Sequence, residues 1–398
     1  MFMAWGEGQT LGIRFEQACE LGGELHPHWK MGTSYSGFAE ASVRHGTTVV
    51  PALKRRFQRV MQEQSGDYWL VRGWRAFAVD GTRIEAPHTA DNETGLGCAG
   101  KNKSAPQVFL TTLWHLGSGL PWDFREGPGT TSERTHAWEL SNSLPERSLL
   151  VADAGFASYA FCRKLLRTGH SFLLRVGGNI ALLTKLGYHC EEQEGVVYLW
   201  PKKHRDTPPL VLRLIVLTRG KRAMYLVTDI LDPQQLSDED AAEIYALRWG
   251  EEVYHRSFKQ TLQRRTLLSR TPATCQAETQ WIVLGLWLLG LMQIMPGIPR
   301  RRSPRKWSVA CSRDVVRRAM RNDPPGGRRA PRSVSLQQAL ARATIDNYTR
   351  HGSKMARNYP RKKQEKPPGP PKIKSATAKE IQLATQFPPP IIPKRWTA

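Results

Sequence analysis

Tyr245-Ala246-Leu247-Arg248-Trp249-Gly250-Glu251-Glu252-Val253-Tyr254-His255-Arg256-Ser257-Phe258-Lys259 is the stretch on which the reading of this chain turns. It closes a run over residues 238–259 whose spacing predicts one helix. At 3.6 residues per turn, Tyr245, Arg248, Glu252 and Lys259 fall on one narrow stripe. A stripe at such spacings is usually an apolar seam facing a core. Here it carries a phenol, a guanidinium, a carboxylate and an ammonium, which suits phosphates and a metal ion. A solvated face with favourable charge pairs is the plainer alternative. Gly250 and the flanking aromatics are unusual on such a face.

Upstream, two further carboxylates stand in a related context. Arg75-Ala76-Phe77-Ala78-Val79-Asp80 reads as a short apolar strand ending on Asp80, with Gly81-Thr82 turning the chain toward a second strand at Arg83-Ile84-Glu85. Ser148-Leu149-Leu150-Val151-Ala152-Asp153 repeats the pattern, ending on Asp153 before Ala154-Gly155-Phe156 and a helix over 158–167. One such aspartate is commonly a helix cap. Two in one α/β unit point to a ligand site, because ligands gather at the carboxyl ends of strands in open α/β sheets.

Asp80, Asp153 and Glu252 therefore form a candidate set. Three carboxylates brought together at neutral pH repel and shift one another's pKa values. A divalent cation resolves this, and hard oxygen ligands favour Mg²⁺, with two ions expected and Mn²⁺ as a substitute. Such a pair supports in-line displacement at a phosphodiester. Arg248 and Lys259 would neutralise phosphate, and Tyr245 would offer a hydroxyl or a stacking ring.

The remaining chain frames this set. Residues 50–61 read as a basic amphipathic helix, which could lie on DNA or cap the core. Residues 108–115 and 120–125 form a hairpin around Gly117-Ser118-Gly119, and a strand is expected at 171–176. From 178 to 229 the pattern is β-rich, with strands at 196–200, 210–217 and 223–228. Its loops carry Lys202, Lys203, His204, Arg205, Arg219, Lys221 and Arg222, suited equally to a DNA backbone or to water. The apolar run 281–292 is too short for a comfortable span of ~20 residues and is expected to be a buried helix.

The net charge is +23, and from Arg300 onward there are 25 Lys and Arg against 5 Asp and Glu. That concentration points to a polyanion, most simply double-stranded DNA, held in part by a basic tail. The tail mixes arginine runs with Pro-rich segments such as 366–372, and disorder without DNA is its expected state, interrupted by a short helix over 334–346. Cys19, Cys98, Cys162, Cys190, Cys275 and Cys311 show no paired spacing, so neither a zinc site nor a disulfide framework is expected, and a reducing cytoplasm fits. No signal peptide is visible.

Taken together, these motifs resemble the DDE transposases of bacterial insertion sequences that carry the YREK signature, the IS-four family. Tyr245, Arg248, Glu252 and Lys259 satisfy the signature at every spacing. Asp80-Gly81-Thr82 matches the family's first motif and Asp153-Ala154-Gly155-Phe156 its second, over a resemblance running from about Trp74 to Met295. The resemblance implies an α/β fold with a ribonuclease-H-like catalytic core (73–177 and 230–296) and a β-rich insertion (178–229). A short helical N-terminal region (1–72) and a basic, largely irregular tail (297–398) would flank it. It implies metal-dependent cleavage at element ends and strand transfer, by catalytic Asp80, Asp153 and Glu252. Tyr245, Arg248 and Lys259 would hold DNA, and Trp200 would stabilise a flipped base or, equally, pack within the insertion sheet.

A homodimer assembled on DNA is implied, with no membrane, in a bacterial cytoplasm near the nucleoid. The 79 residues before Asp80 are few for this family, so the N-terminal region is expected to be a shortened DNA-binding region. A non-catalytic DNA-binding descendant and a ribonuclease-H-like nuclease are the alternatives.

Overall fold

The computed structural model describes residues 1–99, 105–219, 222–294, 303–304, 307–321, 336–343 and 369–388. In chain order the elements are α1 (Phe2–Trp5), α2 (Leu11–Leu25), α3 (Tyr35–Gln64), β1 (Arg75–Glu85), α4 (Ala90–Leu96), β2 (Gln107–His115), β3 (Leu120–Pro128) and α5 (Glu133–Leu140). They continue with β4 (Ser148–Ala152), α6 (Tyr159–Arg167), β5 (Ser171–Val176), β6 (Ala181–Thr184), β7 (Val196–Leu199), β8 (Leu210–Arg219), β9 (Arg222–Thr228) and α7 (Asp238–Leu247). Last come α8 (Trp249–Arg256), a π-turn (Ser257–Thr261), α9 (Pro272–Ile294), α10 (Val309–Met320), α11 (Leu336–Ala341), β10 (Lys372–Ser375) and α12 (Ala378–Ala384). The fold is mixed α/β. The chain divides into two compact units, Met1–Pro145 with Ala246–Ile345, and Glu146–Tyr245 with Asp346–Ala398.

In the first unit, β1, β2 and β3 form an antiparallel meander, and the hairpin expected over 108–125 is present. β1 is a single strand through Asp80-Gly81-Thr82, with Asp80 opposite Thr112. The turn expected at Gly81 does not form, and Asp80 lies in mid-strand. Gly81 serves close packing instead: a Cβ there would come within 2.6 Å of Glu133 Oε1 and 2.7 Å of the Phe109 ring.

The helices of this unit bury the apolar run as expected. α9 starts with Pro272, whose missing N–H costs nothing in a first turn. Ile282, Val283, Leu284, Leu286, Trp287 and Leu289 are all buried. Each contributes roughly 1.5–3 kcal/mol by leaving water. Trp287 meets the Phe57 ring edge-on at 5.3 Å, and its indole N–H donates to Met61 Sδ at 3.2 Å. That contact pins α3, which is capped by Ser34, whose hydroxyl accepts from the Gly37 N–H. α3 contains the basic helix expected over 50–61 and extends well beyond it at its N-terminal end. No described helix is long and apolar enough to cross a membrane.

In the second unit, β4 and β5 run parallel, joined through α6, whose N-cap Ser158 accepts from the Phe161 N–H. β9 pairs antiparallel with β5, and β8, β7 and β6 follow in order. The β-rich stretch thus extends the ladder begun by β4 and β5, with Leu173 opposite Thr228. Three antiparallel strands thus lie in one unit and a parallel β-α-β pair in the other.

The tail adds elements that its composition conceals. α10 buries Val316 and Arg317, and β10 pairs in parallel with β6 from Lys372 opposite Ala181 to Ser375 opposite Thr184. α12 carries a capping box between Thr377 and Glu380. These segments depart from the expected disorder because α10 and α12 each bury an apolar side chain, Val316 and Ala384, while the exposed residues of β10 are held by main-chain pairing to β6. α11 falls within the helix expected over 334–346. The runs 300–302, 324–329 and 361–368, and Lys221, lie outside the described residues.

Candidate active site

The single helix expected over 238–259 is interrupted. α7 ends at Leu247, α8 starts at Trp249, and the π-turn follows at Ser257. Arg248 keeps right-handed helical dihedrals, so the direction of the chain changes little there. The π-turn adds a residue to its turn and shifts Lys259 from the phase that a uniform helix would give it.

Within the first unit, three of the expected residues converge. Arg248 Nη2 lies 3.0 Å from Glu252 Oε1, and its Nη1 lies 3.8 Å from Asp80 Oδ2. The guanidinium is only 12% exposed, whereas the carboxylates of Asp80 and Glu252 are 24% and 35% exposed. One cation thus sits between two solvent-accessible carboxylates carried by a strand and a helix. Asp80 Oδ1 also accepts the Gly81 N–H at 2.9 Å. Lys259 is half-buried, and burial, followed by the charge of Arg265, holds its ammonium below the usual range while Glu85 opposes the shift.

Behind this pair lies a group that sequence reading passed over. Glu251 is fully buried, and its Oε1 accepts the Asp80 backbone N–H at 3.1 Å and the Thr112 hydroxyl at 2.5 Å. Thr112 Oγ1 in turn stands 3.1 Å from His255 Nε2. With the hydroxyl donating to Glu251, the imidazole N–H donates to Thr112. Burial, then the charge of Asp80, pushes Glu251 well above the usual carboxylate range, with Thr112 and Arg248 opposing. Burial depresses His255 to about 3, helped by Lys259, so its ring is neutral. A signal was available: Glu251, Tyr254, His255 and Phe258 recur at the spacing of a buried seam, and a carboxylate in such a seam needs partners.

The other expected residues belong to the second unit. Asp153 follows β4, its Oδ1 accepts the Ala154 N–H at 2.7 Å, and Arg175 Nη1 on β5 lies 3.7 Å from it. Its side chain is 43% exposed. Tyr245, on the last turn of α7, is buried. Trp200 is also buried: its indole N–H donates to the carbonyls of Thr207 at 2.7 Å and His204 at 3.1 Å. The Arg205 guanidinium lies 4.2 Å above its ring, Phe387 meets it edge-on at 6.0 Å, and Arg205 pairs with Glu380. Trp200 is thus packed in this structure, and a base could stack on the covered face only after Arg205 moved.

Among the described residues, no set of three or more His, Cys, Asp or Glu side chains is gathered for a metal ion. What the first unit offers is a convergent pair of hard carboxylates already sharing one counter-cation, a donor set suited to Mg²⁺. All six cysteines are free.

The chain matches the family model of the transposase DDE domain over residues 73–288. It is 26% identical over 237 residues to the transposase InsG for insertion sequence element IS4 of Escherichia coli (strain K12), covering 56% of this chain and 53% of that protein. It thus spans about half the length of that curated relative. A cryo-EM structure of the piggyBac transposase synaptic complex with hairpin DNA resembles it at a TM-score of 0.39 and 10% identity, over 71% of this chain and 60% of that one.

Proposed function

Because the chain belongs to the transposase DDE domain family, we propose that it cleaves DNA at insertion-sequence ends and joins the freed 3′ hydroxyl to target DNA. The observation that carries this reading is the convergence of Asp80 and Glu252 on Arg248. Two carboxylates sharing one largely covered cation are poised to exchange that partner for a divalent metal, with Arg248 swinging toward a phosphate. Asp80 and Glu252 would hold Mg²⁺, or Mn²⁺ in its place, and Asp153 is proposed as the third catalytic carboxylate. The bound ions would activate the attacking oxygen and stabilise the leaving one.

The chain's own residues would do the rest. Arg248 and Lys259 neutralise phosphate, and the depressed affinity of Lys259 for its proton makes that ammonium favour an anionic neighbour. Tyr245 supports the DNA-holding face, and Trp200 reaches a base once Arg205 leaves its ring. Double-stranded DNA is the proposed partner, with two copies assembled on it in the cytoplasm. The exposed face of α3 supports that partner: Arg44, Arg55, Arg56 and Arg59 face solvent. They lie opposite Val50, Phe57 and Met61, which are buried. The proposed ribonuclease-H-like core comprises residues 73–177 and 230–296.

The test uses the full chain and a duplex carrying the element end. In Mg²⁺ or Mn²⁺ the wild type should nick the end to leave a 3′ hydroxyl. Asp80→Asn and Glu252→Gln should each lower the rate by about 10³-fold or more, the loss of several kcal/mol of charge stabilisation, while still binding the duplex. Cleavage by both variants at the wild-type rate would refute the reading. End binding without nicking by the wild type would favour a non-catalytic DNA-binding protein.

A further inference from the structure

We propose, on the basis of that reading, that Glu251 is a positioning residue: it fixes Asp80 through the main chain and so sets where this carboxylate stands relative to Glu252. The two glutamates are adjacent on α8 but point to different surroundings. The Glu252 side chain is 35% exposed and meets Arg248, whereas Glu251 is wholly buried beneath β1 and β2. An apolar residue would fill that place more cheaply, because burying a carboxyl costs several kcal/mol unless it is well bonded. Its neighbours on the same seam, Tyr254 and Phe258, are aromatic.

All the hydrogen bonds that the Glu251 side chain makes among the described residues fall on one oxygen. Oε1 accepts the Asp80 N–H and the Thr112 hydroxyl, whereas Oε2 has no hydrogen-bond partner there. Thr112 is the residue paired with Asp80 across the β1–β2 ladder, and His255, one turn along α8, steadies the Thr112 oxygen. Strand, neighbouring strand and helix therefore meet at a single carboxyl oxygen. Asp80 is held by its amide to Glu251 and by its side chain to Arg248 and the Gly81 N–H. Glu252 follows Glu251 directly in sequence, so α8 cannot slide against β1 without breaking the Asp80 amide contact. Outer groups that orient metal ligands in this way typically contribute 10- to 100-fold in metal affinity or activity.

The experiment measures Mn²⁺ binding to the metal-free full chain by calorimetry, alongside affinity for the end duplex and the thermal midpoint. Glu251→Leu fills the space without an acceptor and should weaken Mn²⁺ binding about 10- to 100-fold. It should leave duplex affinity within twofold and the midpoint unchanged or higher. Glu251→Gln keeps a carbonyl oxygen for the Asp80 N–H and the Thr112 hydroxyl and should restore most of the affinity. Thr112→Val, which removes the hydroxyl alone, should give an intermediate loss and decides the matter if Glu251→Leu does not fold. Wild-type Mn²⁺ affinity in Glu251→Leu, or in Thr112→Val where the leucine variant is unfolded, overturns the proposal. So does a glutamine variant as weak as the leucine one. Asp80→Asn separates this failure from the larger one. If it also leaves Mn²⁺ binding intact, the assignment of Asp80 as a ligand is what fails.

Discussion

Each compact unit contains one buried carboxyl that accepts a strand N–H together with a neighbouring hydroxyl, and the two are put to different use. In the first unit Glu251 takes the amide of Asp80 and the hydroxyl of Thr112. In the second, Asp229 takes the amide of Phe172 at 2.8 Å and the hydroxyl of Ser171 at 2.9 Å. Glu251 grips the candidate ligand itself. Asp229 grips the start of β5, three residues before Arg175, which in turn faces Asp153. One device therefore acts directly on a candidate ligand and the other acts through a strand and an arginine. The same local chemistry can serve a site or only a scaffold, and the difference is how many covalent steps separate the carboxyl from the reacting groups.

Between the two units, the largest difference should come from the arginines that face Asp80 and Asp153. Arg248→Ala leaves Asp80 and Glu252 without their common counter-cation and should lower the end-cleavage rate by about 10- to 100-fold. Arg175→Ala acts on a carboxylate that is 43% exposed, where an ion pair contributes only ~0.2–1 kcal/mol, so a loss of about fivefold or less is expected. Single-turnover cleavage rates for the two variants measure the asymmetry. Equal losses would erase it.

A smaller effect concerns Asp229. Burial pushes its carboxyl up to about 6 from 3.8, with the Phe172 amide and Ser171 hydroxyl opposing. The native state thus binds this proton more tightly than the unfolded chain does. The contribution to stability is full below pH ~4 and declines as pH rises through about 6, by roughly 3 kcal/mol at most. Asp229→Asn should flatten that part of the stability profile, measured by denaturant unfolding between pH 4 and 8. Parallel profiles for variant and wild type would mean that the carboxyl is not the group responsible.

The least effect on catalysis, though visible in binding, is expected on α3. Replacing Arg55 and Arg59 with Gln should weaken duplex affinity uniformly across sequences. It should also reduce the salt slope of binding by about 0.9 for each phosphate that the variant no longer neutralises. The single-turnover rate at saturating duplex should hardly change. A slope identical to the wild type would remove α3 from the DNA-binding surface.

Much of the frame was legible because it rests on local pattern. The apolar runs of β4 and β5, the hairpin around Gly117-Ser118-Gly119, and the spacing from Tyr245 to Lys259 are short-range features of the chain. What escaped depends on partners distant in sequence. Glu251 finds Asp80 171 residues away and Thr112 139 residues away, so its burial could be suspected from the seam but its purpose could not. Asp80 looked like a strand end because Gly81 usually marks a turn, whereas here the glycine makes room for Phe109 and Glu133. The surroundings of Trp200 were equally out of reach, because Arg205, Thr207 and Phe387 meet it through the fold and not through a local pattern.

The pairing of β10 with β6 has a consequence for the order in which the molecule can be completed. Lys372 to Ser375 lie alongside Ala181 to Thr184, close to two hundred residues earlier in the chain. During synthesis from the N-terminus, the outer edge of β6 emerges long before the strand that closes it. Until then its amides and carbonyls form an unpaired sheet border, the kind of surface on which a second nascent chain can dock. A late step in building this unit is therefore also its protection against self-association. A ribosome that stalls before residue 372 would release a protein with its candidate catalytic residues already made and its sheet still open.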